Sequence, residues 1–194
     1  MRAAMFVVCG LLAGAAVAQA DSEKKPVPEQ APAKPSRHDS VTVTVEPAAG
    51  KNQVRLDVFV VNTEPVAGLP LPLKVTAGNA KMNFDSVSYA GGRVEYFQLK
   101  AANADTANQT LLLGLIADLS GSKPPLAPGR GKAFSIFYSG SAPVTAEQVK
   151  VEPVVLPPAN KLEYNTIESD GTVGSTIPTY VRAKASKPAA AEQK

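Results

Sequence analysis

The chain has 194 residues, with a single His, a single Cys and no Trp, and its 20 Lys and Arg against 17 Asp and Glu give a formal charge of +3. That length allows one ordinary domain with tails, and a hydrophobic content of 44% is too high for a wholly disordered chain and too low for a multi-span membrane protein. One His and one Cys exclude histidine triads, histidine clusters, disulfides, CxxC motifs and most zinc sites.

Residues 1–20 have the layout of a secretory signal peptide. Arg2 charges a short n-region, residues 3–18 are an apolar run, and Ala18 and Ala20 put small side chains at the −3 and −1 positions of a signal-peptidase site. The run is too short and too rich in Gly and Ala to span a bilayer. Cys9 sits inside it behind the bulky Val8, a context that does not suit lipidation. This predicts a secreted or periplasmic protein with no transmembrane segment after signal cleavage. Cleavage leaves 174 residues without cysteine, held by their core alone.

Residues 21–40 read as a Pro- and charge-rich linker, with Pro26, Pro28, Pro32 and Pro35, balanced charge and almost nothing apolar. The only histidine, His38, falls in it. Residues 41–182 then carry the pattern of a folded domain, and 183–194 form a disordered Ala/Lys/Pro tail. The excess positive charge divides accordingly. Residues 41–180 hold 11 basic and 12 acidic side chains, and the surplus lies in the signal and in residues 181–194. A near-neutral body offers no nucleic-acid surface.

From Val41 onward the apolar residues recur at every second position. Strands are predicted at 41–45, 54–60, 69–75, 84–89, 94–99, 111–119, 133–138 and 149–156, with weaker ones at 162–167 and 177–181. Pro70 and Pro72 mark the third of these as an edge strand or a broken one. Residues 103–109 read as a polar loop. The nearly all-apolar 111–119 reads as a strand covered on both faces or bulged at Gly114. No segment reaches helical length with a 3.6-residue period. Eight to ten short strands with turns every 8–14 residues predict an all-β sandwich, and the short strands and proline-rich loops favour it over a lipocalin-like barrel.

Catalytic constellations are missing: no GxSxG, HExxH, P-loop or GxGxxG occurs, and the carboxylates are spread singly. Glu168-Ser169-Asp170-Gly171 lacks the spacing of a calcium loop and reads as a turn. No cofactor and no metal are expected. Sugars are usually stacked on aromatic platforms, and without Trp the candidates are Tyr89, Tyr96, Tyr138, Tyr164 and Tyr180.

Three passages carry a resemblance. They are Val-Val-Asn-Thr-Glu-Pro-Val-Ala-Gly-Leu-Pro-Leu-Pro-Leu at 60–73, Phe-Asp-Ser-Val-Ser-Tyr-Ala-Gly-Gly-Arg at 84–93, and the run from Gly-Leu-Ile-Ala-Asp-Leu at 114–119 to Pro-Pro-Leu-Ala-Pro-Gly at 124–129. Together they resemble the cohesin-like domains of bacterial exported proteins over about residues 40–156, and residues 171–181 fit the closing strand of such domains. The resemblance implies a jelly-roll-type β-sandwich of about 8–10 antiparallel strands, close to the fold of carbohydrate-binding modules. Cohesins bind dockerins, which carry paired calcium loops, through one sheet face. The expected function is therefore a non-enzymatic binding or assembly module whose partner is an unknown protein or a polysaccharide. The alternatives are a carbohydrate-binding module and, more remotely, an enzyme of an unrecognised kind. Tyr89, Arg93, Tyr96 and Asp118 make up the candidate binding surface, with Arg93 and Asp118 also suited to holding loops through backbone hydrogen bonds.

Overall fold

A computed structural model describes residues 34–50 and 52–183. The proposed signal peptide, with Ala18 and Ala20, and the tail beyond Ala183 lie outside the described residues. Ten strands follow in chain order: β1 (Lys34–Pro47), β2 (Gln53–Asn62), β3 (Val66–Ala77), β4 (Met82–Ser88), β5 (Leu99–Asp105), β6 (Thr110–Ile116), β7 (Gly129–Gly140), β8 (Val149–Pro153), β9 (Tyr164–Ile167) and β10 (Val173–Arg182). They make two layers. One runs β4-β7-β2-β1-β10; the other runs β5-β6-β3, with β8 and β9 sharing the far side of β3. β9 also pairs with β10, so the hydrogen bonding passes from one layer to the other along the sandwich edge.

The period-two pattern builds the core directly. Val41, Val43 and Val45 of β1, Leu56, Val58 and Val60 of β2, Leu69, Leu71 and Leu73 of β3, and Leu111, Leu113 and Leu115 of β6 all point between the layers and are buried. Each such side chain contributes roughly 1.5–3 kcal/mol by leaving water.

Four features differ from the sequence reading. The first strand begins at Lys34, within the stretch read as linker. Asp39 in that stretch is buried and accepts hydrogen bonds from the backbone N and the Oγ1 of Thr63 and from Thr176 Oγ1, at 2.8, 2.8 and 3.0 Å. Polar bonds therefore anchor this strand ahead of Val41, where its apolar alternation begins. Second, β1 and β10 run parallel, so the sandwich is not wholly antiparallel; two strands far apart in sequence enter the same sheet from the same end. Third, residues 94–99 are not a strand. Glu95 N donates to Gly92 O and Phe97 N to Val94 O, making tight turns that bury Val94 and Phe97 three residues apart. The strand comes later, as β5, within part of what reads as a polar loop.

Fourth, β3 is not an edge strand. It pairs with β6 from Gly68 to Lys74, and β6 runs through Gly114 without a bulge. On its other side β9 reaches only as far as Gly68 and β8 begins at Leu73. Ala117 N donates to Ala67 O on the β6 side, while Val154 N donates to Pro72 O on the other. Both prolines thus turn their missing N–H away from β6, Pro70 toward the gap between β9 and β8 and Pro72 toward Val154 at the end of the β8 ladder, where a single bond is forgone.

Candidate functional site

Tyr89, Arg93 and Tyr96 lie on the turn-rich segment between β4 and β5, packed against the end of the sandwich. Tyr89 is half-buried on Phe134, with ring centroids 5.7 Å apart, and the ammonium of Lys100 lies 5.1 Å from its ring centroid. Burial pushes its phenol upward from the ordinary tyrosine value. Tyr96 meets Phe97 edge-on at 5.2 Å, and Lys123 Nζ donates to its backbone oxygen at 2.6 Å. These rings are engaged by core neighbours and cations and are not ranged side by side on an open sheet, as a sugar platform requires.

Arg93 is a loop clamp. Its Nη1 donates to Asn62 Oδ1 at 2.9 Å and Gly129 O at 3.0 Å, and its Nη2 to Ala127 O at 2.6 Å. The buried Asn62 donates in turn to Glu64 O at 2.8 Å and Ala127 O at 3.1 Å. The Asn of the first resembling passage and the Arg of the second thus hold the Pro-Gly loop of the third. Asp118 accepts from Ser120 N at 3.0 Å and Ser120 Oγ at 3.1 Å, capping its own turn. Gln98 joins this turn to the 89–98 segment, accepting from Leu119 N at 2.7 Å. The four residues therefore share one end of the sandwich, each bound to the fold.

A second surface escaped the sequence reading: the outer face of β3, β5 and β6. Since Leu111, Leu113 and Leu115 point inward, Leu112, Gly114 and Ile116 point outward. Pairing aligns them in rows across the sheet. The rows are Gly68–Ile116–Leu99, Pro70–Gly114–Ala101 and Pro72–Leu112–Asn103; they carry no charge, and since Gly68 and Pro72 are themselves buried, the open area lies on β5, β6 and Pro70. The next row, Glu152–Lys74–Thr110–Asp105, is charged at both margins and on β3. Leu99 is 37% exposed, and Val155, following the Val154–Pro72 bond at the margin, is 73% exposed. A Cβ built at Gly114 meets nothing within 4 Å, so this row lies open. The signal was present in 111–119, where apolar residues continue out of phase with the core, and was read there as double burial.

Among the described residues no three His, Cys, Asp or Glu side chains gather as a metal site, and no helix is long and apolar enough to cross a membrane. Asp57, buried on the outer face of the opposite sheet, bonds Lys132 at 2.9 Å, Arg55 at 3.0 Å and Ser135 Oγ at 2.6 Å.

No protein-family model and no curated protein sequence matches the chain. Solved structures do. The chain is similar to the seventh ScaB type I cohesin of Pseudobacteroides cellulosolvens, with a TM-score of 0.51 and 10% identity over 81% of this chain and 99% of that one. It is similar to the sixth cohesin of Acetivibrio cellulolyticus scaffoldin B, solved with a dockerin mutant, with a TM-score of 0.53 and 11% identity over 77% and 99%. A third likeness is to the OlpA cohesin of Clostridium thermocellum in a cohesin–dockerin complex, with a TM-score of 0.51 and 11% identity over 76% and 99%. The chain is a cohesin-like domain in fold, a β-sandwich of the kind expected from its sequence.

Proposed function

We propose that this protein is an exported, non-enzymatic interaction module that docks a folded protein partner on the outer face of β3, β5 and β6. The observation that carries the reading is the three uncharged rows centred on Gly114, bordered by a charged one. Small residues along the middle make the face flat, and a flat apolar centre with a charged margin suits a flat apolar surface of a folded protein with complementary charges at its edge. The cohesin neighbours, two of them solved with dockerins, support a protein as the partner. Export rests on the signal-peptide layout, and the mature chain then begins at Asp21.

The test is a comparison of two baits, wild type and Gly114→Glu, in extracts of the source organism. Gly114 has no neighbour that a longer side chain would strike, so the variant keeps its melting point while a carboxylate stands in the middle of the face. A partner retained by wild type and lost by the variant at least tenfold supports the docking face. Equal recovery on both baits rules the face out, and recovery of nothing at several salt concentrations rules out the module.

A further inference from the structure

On one side the sandwich is open. β8 pairs only with β3, and β10 pairs with β9 only as far as Thr176. Beyond that residue, among the described residues, the facing edges of β8 and β10 pair with no strand, and between them lies a cleft of about 690 Å³.

The hydrogen-bond phase shows which backbone groups face it. Ala183 N donates to Val43 O, so the alternate residues of β10, Tyr180 and Arg182, turn their backbone groups away from β1 and into the cleft. On β8, Val154 N faces β3, so Val149, Val151 and Pro153 face the cleft. Side chains of β10 reach across to the β8 edge: Tyr180 Oη donates to Val151 O at 2.8 Å, and Arg182 Nη2 to Val149 O at 3.4 Å. Pro153 and Pro178 remove one donor from each edge at the far end. The N–H groups of Val149, Val151, Tyr180 and Arg182 remain. The cleft floor is apolar, formed by the buried Ala146, Val149 and Val151. Charges of both signs border it, Arg182 and Glu147 near Val149 and Lys150 and Glu152 along β8.

We propose that this cleft accepts an extended segment of a partner polypeptide, which adds as a strand alongside β10 and runs antiparallel to it. Strand edges recognise backbone, and the apolar floor selects small apolar side chains at the positions that face it. The site is separate from the sheet face proposed above and does not depend on it.

The probe is a hexapeptide of alternating valine and threonine between an N-terminal glutamate and a C-terminal lysine, titrated into the 15N-labelled full chain. Expected are saturable shifts confined to residues 146–153 and 178–183. Methylating the peptide's backbone nitrogens at alternate positions weakens binding about tenfold, the loss of one or two net hydrogen bonds. Tyr180→Phe keeps the ring but releases the Val151 carbonyl, and tightens binding a few-fold. Val151→Pro deletes a donor that the β3 ladder does not use, and weakens binding by about as much as methylation does. Absence of saturable shifts in the wild-type chain, shifts elsewhere, or equal affinity for the methylated peptide each overturns the proposal. Binding only after removal of residues 184–194 overturns it too, and assigns the cleft to the chain's own end.

Discussion

At the scale of the residue, Arg93 decides between a binding and a structural role for the polar positions of the resembling passages. Its guanidinium donates to Asn62 Oδ1 and to the carbonyls of Ala127 and Gly129. Truncation to Ala takes this donor from Asn62 Oδ1 and Gly129 O, leaves Ala127 O with Asn62 alone, and loosens the 124–129 loop. Because hydrogen bonds to a charged group are worth about 1.5–3 kcal/mol each and are not additive, Arg93→Ala is expected to cost roughly 2–4 kcal/mol. Arg93→Lys recovers only part, since an ammonium cannot reach three acceptors arranged around a planar fork. Urea unfolding of the three proteins measures this, and equal midpoints would show that Arg93 is free for a partner. Its neighbour Gly92 is under a stricter constraint. A Cβ there would stand 1.9 Å from Ala133 O, so the chain approaches β7 too closely for any other residue. These passages therefore mark the fold, which is why they identify an architecture and leave the ligand unnamed.

At the scale of the element, β6 gives the sharpest check on the register. Leu115 points into the core and Leu112 onto the outer face, three positions apart on the same strand. Leu115→Asp buries a charge without a partner and is expected to unfold the domain, a loss of more than about 4 kcal/mol. Leu112→Asp stays within about 1 kcal/mol of wild type. Circular dichroism melts separate the two, and a folded Leu115→Asp would overturn the core assignment. β1 and β2 were legible from sequence because their apolar residues alternate, and β3 and β7 because their apolar residues are dense, residues 133–136 of β7 being buried on both faces. β5 was not, because it is an exposed edge held by backbone bonds to β6, and backbone bonds leave no mark on side-chain pattern. The turns at 92–97 failed for the opposite reason: Val94, Tyr96 and Phe97 look like strand residues, but burial at a spacing of three serves turns as well as alternation serves strands. The outer face of β3, β5 and β6 was half legible. The apolar excess at Leu112 and Ile116 was visible, while the rows that make it a surface come from pairing between strands distant in sequence.

At the scale of the whole molecule, a near-neutral, cysteine-free domain resists unfolding through its core and through few buried charges. Asp57 is a buried carboxylate whose effect pH exposes. Burial alone would raise its carboxyl, but the Ser135 hydrogen bond and the charges of Lys132 and Arg55 outweigh that and hold it below the ordinary aspartate value. A carboxyl depressed in the folded state contributes stability that is complete above its unfolded pKa, about 3.9, and is lost as the pH falls through the lower folded value. Wild type should therefore keep a constant urea midpoint from pH 7 to about 5 and lose stability progressively below about 4. Asp57→Asn removes both ion pairs and leaves Lys132 and Arg55 without their anion. It should be less stable than wild type at pH 7, by roughly 1–3 kcal/mol. The difference between the two proteins should then shrink on acidification, since protonation takes from wild type what the substitution has already taken. Urea midpoints for both at pH 7 and pH 3 give the four values required. A gap that stays constant across that range would mean that Asp57 titrates alike in the folded and unfolded chain, and that its three contacts do not hold the charge they surround.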